Sequence, residues 1–206
     1  PAPAEILRDA EILFGEYPPS NFADCERLRW IQLDSVGFAQ LYGLGLPQRG
    51  IRATNARGVF DIPIAEWCIA MMVNLARDVR QMIRNQDAAV WDRGAIFQRE
   101  IRGATVGLWG YGGIGRETAR LARQMGMRVH VLTRNGVAPL QHVYCVPGTG
   151  DEAGVLPDRV FRTGEEREFL GGLDFLIVAM PLTKSTEGLI GERELQALPR
   201  TAFVLN

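Results

Sequence analysis

Short apolar runs separated by turn residues mark the first third of the chain. Residues 10–15 (AEILFG) form one such run, stopped by Pro18-Pro19-Ser20, and residues 28–33 (LRWIQL) and 51–55 (IRATN) form two more. Runs of this length bounded by turn signals predict strands. Between them, residues 21–27 suit one or two helical turns and residues 38–46 a longer helical piece. Strands alternating with helices predict parallel β-α units rather than hairpins.

A longer period follows. Over residues 63–84 the apolar side chains Ile64, Cys68, Met71, Leu75, Val79 and Met82 recur at spacings of 3 and 4, which predicts one helix. Pro63 suits its first turn, where the missing N–H costs nothing. Trp67 and Met72 widen the stripe, so this helix is expected to be buried on more than one side, and its methionines to pack in a core. Residues 87–102 are polar and mixed in charge, a surface stretch. A strand at 104–109 (ATVGLW) then runs into Gly110-Tyr111-Gly112-Gly113-Ile114-Gly115. A helix over 116–125 is capped by Gly126, and strands follow at 127–132, 173–179 and 202–206, with helical turns at 192–198. No internal repeat or low-complexity segment is visible.

Composition narrows the function classes. The 206 residues allow one ordinary domain or two small ones, and 47% apolar residues are ample for a core. Balanced charge, 23 basic against 24 acidic residues, leaves no excess to neutralise phosphates, so no nucleic-acid partner is expected. Cys25, Cys68 and Cys145 are too scattered for a disulfide framework or a common zinc site, and unpaired thiols suit a reducing cytoplasm. No uncharged apolar run approaches the roughly 18 residues of a membrane span, and no signal peptide is visible.

The glycine turn carries the chemistry. Gly110, Gly112 and Gly115 fit G-x-G-x-x-G, a weak pattern alone but one that here follows a strand and opens a helix. Gly110 is assigned to the tight turn, Gly112 to close approach of a pyrophosphate, and Gly115 to close helix–strand packing. The N–H groups of Gly113 and Ile114 are expected to point at the phosphates. The following strand ends Leu132-Thr133-Arg134, without the acidic residue that would bond an adenosine ribose 2′-hydroxyl. Thr133 can donate a hydrogen bond and Arg134 can pair with a phosphate, so NADP(H) is favoured over NAD(H); a solvated surface arginine with loose preference is the other reading.

Several segments together resemble the D-specific 2-hydroxyacid dehydrogenase family. They are Asn55-Ala-Arg-Gly-Val59 with Pro63-Ile-Ala-Glu-Trp67, the dinucleotide turn within 102–116, Met125-Gly-Met-Arg-Val129, Met180-Pro-Leu-Thr-Lys-Ser-Thr186, Gly188-Leu-Ile190, Glu194-Leu-Gln-Ala-Leu198 and the final Ala202-Phe-Val-Leu-Asn206. The resemblance implies an α/β chain: a Rossmann-type doubly wound parallel sheet over 60–206, and part of a flavodoxin-like α/β substrate domain over 1–59. It also implies a cleft where substrate and nicotinamide meet. Backbone N–H groups around Val36 and Gly37 would hold the substrate carboxylate, and Pro181 and Thr186 would line the adenine and pyrophosphate side of the cofactor pocket.

In that family an arginine, a histidine and a carboxylate perform the chemistry. All three fall beyond Asn206, so the resemblance implies that these residues are an internal fragment, clipped at both ends, with no catalytic side chain of their own. His130 lies within a strand and reads as a core imidazole, while His142 falls on the adenosine side; neither is placed to protonate a carbonyl. The parent is expected to transfer hydride between the nicotinamide and a 2-hydroxy or 2-keto acid of the glyoxylate or hydroxypyruvate kind. Loops after Gly15 and near Trp91 are pocket candidates, with plain packing equally open for Trp91. The rival reading is a non-catalytic dinucleotide-binding module, like the transcriptional corepressors among such relatives. An S-adenosyl-ligand binder is disfavoured by the 180–186 segment and by the absence of an acidic residue at position 133. The family is usually homodimeric through the cofactor domain, and the apolar face of 63–84 gives that expectation a physical basis.

Overall fold

A computed structural model describes residues 2–94 and 98–206; Pro1 and positions 95–97, within the polar 87–102 stretch, lie outside the described residues. The chain divides into two compact units. The first comprises Pro1–Phe60 with Pro181–Glu187, the second Asp61–Met180 with Gly188–Asn206. The return of residues 181–187 to the first unit is not part of the 60–206 expectation.

The first unit opens with helix α1 (Ala4–Asp9), which no apolar period announces. Its sheet contains β1 (Ile12–Phe14), β2 (Trp30–Gln32) and β3 (Arg52–Thr54), parallel and in that order. Ile31 of β2 and Leu33 pack with Leu7, Phe22, Cys25, Leu28, Leu46 and Ile51 to form this unit's core. Only two single 3-10 turns, Phe22–Asp24 and Ala39–Leu41, appear where helical pieces were expected. The 38–46 helix is corrected to one turn because Gly43 and Gly45 follow at φ of 82° and 63°, conformations no helix continues through.

The second unit contains β4 (Thr105–Trp109), β5 (Arg128–Thr133), β6 (Arg159–Arg162), β7 (Phe175–Val178) and β8 (Phe203–Leu205). All pair in parallel, in the order β6-β5-β4-β7-β8. Counted by appearance this is 3-2-1-4-5, the Rossmann order of a doubly wound sheet. One face packs on helices α2 (Asp61–Ala76) and α4 (Gly113–Gln124) through Cys68, Met72, Ala76, Ala119 and Ala122. Phe169, Leu170 and Leu173 cover the other face, from and just beyond α5 (Glu166–Gly171). Glu192–Gln196 forms α6.

The helix expected over 63–84 is corrected to two. Asp78 adopts a left-handed conformation (φ 48°, ψ 50°) that ends α2 and caps α3 (Val79–Asp87), its side chain accepting from the Gln81 N–H. The buried stripe of α2 is also turned by one residue from the expected one. Ala65, Cys68, Met72 and Ala76 face inward, whereas Ile64 and Leu75 are exposed. Small residues hold three of these four inward positions, Ala65, Cys68 and Ala76, where α4 packs closely and itself presents Ala119 and Ala122. Strand β6 and α5 escape the apolar pattern, since Phe161 is the one inward side chain of an edge strand flanked by arginines.

Candidate functional site

Strand β4 is buried along its whole length, with β5 on one side and β7 on the other. The chain order reverses across it, so the turn leaving β4 lies at the topological switch point of the sheet. Gly110 begins that turn against the end of β7, where a Cβ would stand 2.8 Å from the carbonyl carbon and oxygen of Ala179. Helix α4 opens at Gly113, three residues before the expected start, with Gly112 as its extended N-cap. The first α-helical bond is Arg116 N–H to the Gly112 carbonyl, which leaves the N–H groups of Gly113, Ile114 and Gly115 unused by the helix. A Cβ on Gly115 would stand 2.7 Å from the Gly110 carbonyl oxygen, so turn and helix close on each other there. Space over Gly112 is open to beyond 4 Å. Against Gly113, by contrast, lies the carboxylate of Asp61, the buried first residue of α2. A helix N-terminus with free N–H groups and an open approach at Gly112 fits a pyrophosphate.

A polar cluster fastens the 137–156 segment to this turn. Tyr111, the second residue of the turn, donates its hydroxyl to Asp151 Oδ2 at 2.6 Å. Val155 and Leu156 N–H also donate to that carboxylate, at 2.9 and 3.0 Å. Burial pushes the Asp151 carboxyl up, but these donors and the Arg116 charge prevail and hold it below the usual carboxylate range. Arg116 is buried, stacks its guanidinium 4.9 Å from the Tyr111 ring centroid, and donates to the carbonyls of Asp151 and Ala138. Glu117 accepts from Gly150 N–H and from Arg120, which overcome burial and lower its carboxyl likewise.

At the end of β5, Thr133 Oγ1 is buried without a hydrogen-bond partner, and Arg134 beyond it is exposed. A buried hydroxyl left unpartnered at this rim fits a polar ligand group. His130 sits mid-strand, its ring centroid 5.6 Å from that of Phe161; burial, then the Arg159 charge, lowers its pKa and keeps it neutral. His142 is exposed in the loop after β5. Burial pushes the Cys68 thiol up to about 11, so it stays protonated beside Thr118.

In the first unit, the carbonyls of Val36 and Gly37 are taken by side chains: Asn55 Nδ2 donates to Val36 at 2.7 Å and Ser35 Oγ to Gly37 at 3.0 Å. Among the described residues the N–H groups of Val36 and Gly37 make no hydrogen bond, and the loop at Gly37 is exposed. Free N–H groups on a loop whose carbonyls are pinned can accept an anion. In the same unit Pro181 is exposed and Thr186 Oγ1 donates to its carbonyl at 2.6 Å, while accepting from Thr183 N–H at 2.8 Å. The Thr186 hydroxyl thus closes its own loop.

The sequence model of the D-isomer specific 2-hydroxyacid dehydrogenases, NAD binding domain, matches residues 69–206. The chain belongs to this family. It is 29% identical over 192 residues to the glyoxylate reductase of Thermococcus gammatolerans, covering 90% of this chain and 53% of that one. The chain therefore spans about half the length of the curated relatives it resembles. Among solved structures, a D-isomer specific 2-hydroxyacid dehydrogenase family protein from Aeromonas salmonicida superposes with a TM-score of 0.77 at 22% identity, covering 98% of this chain and 60% of that one. The D-lactate dehydrogenase of Aquifex aeolicus, complexed with NAD and lactic acid, gives 0.77 at 21% identity, covering 98% and 58%.

Within this D-2-hydroxyacid dehydrogenase chain the structure adds residues that the sequence pattern did not single out. Asp61 is one, an acidic residue in the first turn of α2 whose meeting with Gly113 depends on how α2 crosses α4. Asp151 is another, 40 residues from its partner Tyr111 in a stretch without apolar period. No spacing rule could have paired them. Among the described residues no group of three potential ligands could hold a metal ion, and no helix is long and apolar enough to cross a membrane.

Proposed function

We propose that the protein carrying this chain is an NAD(P)-dependent oxidoreductase that transfers hydride between a nicotinamide and a 2-hydroxy or 2-keto acid, of the glyoxylate or hydroxypyruvate kind. The observation that carries this reading is the turn from β4 into α4, with unused N–H groups at Gly113, Ile114 and Gly115 and open space over Gly112. These groups hold the dinucleotide pyrophosphate. When bound, the nicotinamide supplies or accepts the hydride. Val36 and Gly37 offer their N–H groups to the substrate carboxylate, and Pro181 and Thr186 line the cofactor's adenine and pyrophosphate side.

The cofactor preferred is NADP(H). Thr133 and Arg134 stand where an acidic residue would repel a 2′-phosphate, and the unpartnered Thr133 hydroxyl supports the assignment. Fluorescence titration of the protein with NADPH and NADH tests it. At least tenfold tighter binding of NADPH is expected; equal or NADH-favouring dissociation constants would overturn the preference. The protein acts as a cytoplasmic homodimer, a reading supported by three free cysteines and by the apolar row on α2 and α3.

A further inference from the structure

All strands of the second unit run parallel, so their C-terminal ends share one rim, where ligands of open α/β sheets sit. Two guanidinium groups occupy the β5–β6 part of that rim. Arg134 follows β5 directly, and Arg162 is the last residue of β6. Arg162 is the register partner of Thr133, and registered neighbours in a parallel pair project to the same face of the sheet. Its Nη2 lies 3.6 Å from where a Cβ on Gly136 would stand, which sets the guanidinium against the turn that carries Arg134.

Neither guanidinium has an ion-pair or hydrogen-bond partner among the described residues. Other arginines around this sheet do: Arg159 pairs with Glu168, Arg123 with Asp158 and Arg120 with Glu117, each at 2.6 Å. The nearby Glu165 carboxylate is engaged by the backbone N–H of Arg162, not by its side chain. Two guanidinium groups without ion-pair partners beside an orphaned buried hydroxyl match a phosphate monoester, which carries nearly two charges at neutral pH and takes forked guanidinium donors.

We propose that Arg162 is the second arm of an adenosine 2′-phosphate subsite, closing on the phosphate from β6 while Arg134 and Thr133 reach it from β5. The proposal rests on the NADP(H) reading above. It assigns specificity to a residue on a strand that the apolar pattern does not reveal.

Calorimetric titration with 2′,5′-ADP and 5′-AMP, which differ only in the 2′-phosphate, tests it on the full protein. The unaltered protein should prefer 2′,5′-ADP. Arg162→Ala should weaken 2′,5′-ADP by about 10- to 100-fold and leave 5′-AMP within about twofold, and Arg162→Gln, which keeps the aliphatic stem, should do the same. If the unaltered protein binds both ligands equally, the NADP(H) reading itself fails. If it prefers 2′,5′-ADP and Arg134→Ala abolishes the preference while both Arg162 variants keep it, Arg162 alone is overturned. Equal weakening of both ligands by the Arg162 variants likewise overturns a 2′-phosphate role.

Discussion

Gly112 and Gly115 lie three residues apart in one turn, yet a methyl group at each meets different surroundings. At Gly115 it would press on the Gly110 carbonyl oxygen, 2.7 Å away, and backbone cannot step aside as a side chain can. At Gly112 it would enter open space, on a backbone of φ −83° that any residue adopts. Gly115→Ala is therefore expected to destabilise the protein by about 1–3 kcal/mol, lowering Tm in a thermal melt and dinucleotide affinity with it. Gly112→Ala should leave Tm essentially unchanged but weaken NADPH about tenfold, because the methyl fills the phosphate approach. Retention of full affinity by Gly112→Ala would show that the open space is not the phosphate site. The glycine spacing makes this turn legible because Gly110 and Gly115 answer backbone demands fixed along the chain, at the spacing that leaves Gly112 open between them. The carboxylate of Asp61 against Gly113 is not legible in the same way, since it arrives from another helix.

Elements were readable where an apolar period was long and its large residues were the ones buried. Strands β4, β5 and β7 satisfy this, with Val106, Leu108, Val129, Val131 and Ile177 all inside. Helix α2 has a clear period but the wrong phase is suggested by size. Apolar bulk favours Ile64 and Leu75, whereas the close approach of α4 selects Ala65 and Ala76, with Met72 buried beside them. Substitutions distinguish the two phases. Met72, with 0% of its surface exposed, should cost about 2–5 kcal/mol on Met72→Ala, measured by urea denaturation. Leu75, 37% exposed, should cost less than about 1 kcal/mol on Leu75→Ala at concentrations where chains are dissociated. A reversed order would restore the stripe that bulk alone suggests.

On the scale of the molecule, what α2 leaves outside is as informative as what it buries. Ile64, Trp67 and Leu75 recur at helical spacing on its outer side, and Met82 and Ile83 add exposed apolar surface on α3. Single exposed apolar residues are ordinary, but a row of large ones marks an interaction surface. Among the described residues the second unit's buried core cluster does not draw on this row, since Cys68, Met72 and Ala76 are what α2 contributes to it. In the homodimer proposed above, a second copy of the same row would cover it with like chemistry, as a two-fold interface requires. The protein should accordingly elute at twice its chain mass by light scattering at micromolar concentration. Trp67, 48% exposed, is the bulkiest side chain in the row, and Trp67→Glu places a charge where its counterpart would be desolvated. That variant should run at single-chain mass while keeping its far-ultraviolet spectrum. Met72→Ala makes the opposite change, loosening the core beneath an intact row, and should lower Tm without separating the copies. Dissociation by Met72→Ala together with an undisturbed mass for Trp67→Glu would place the interface elsewhere.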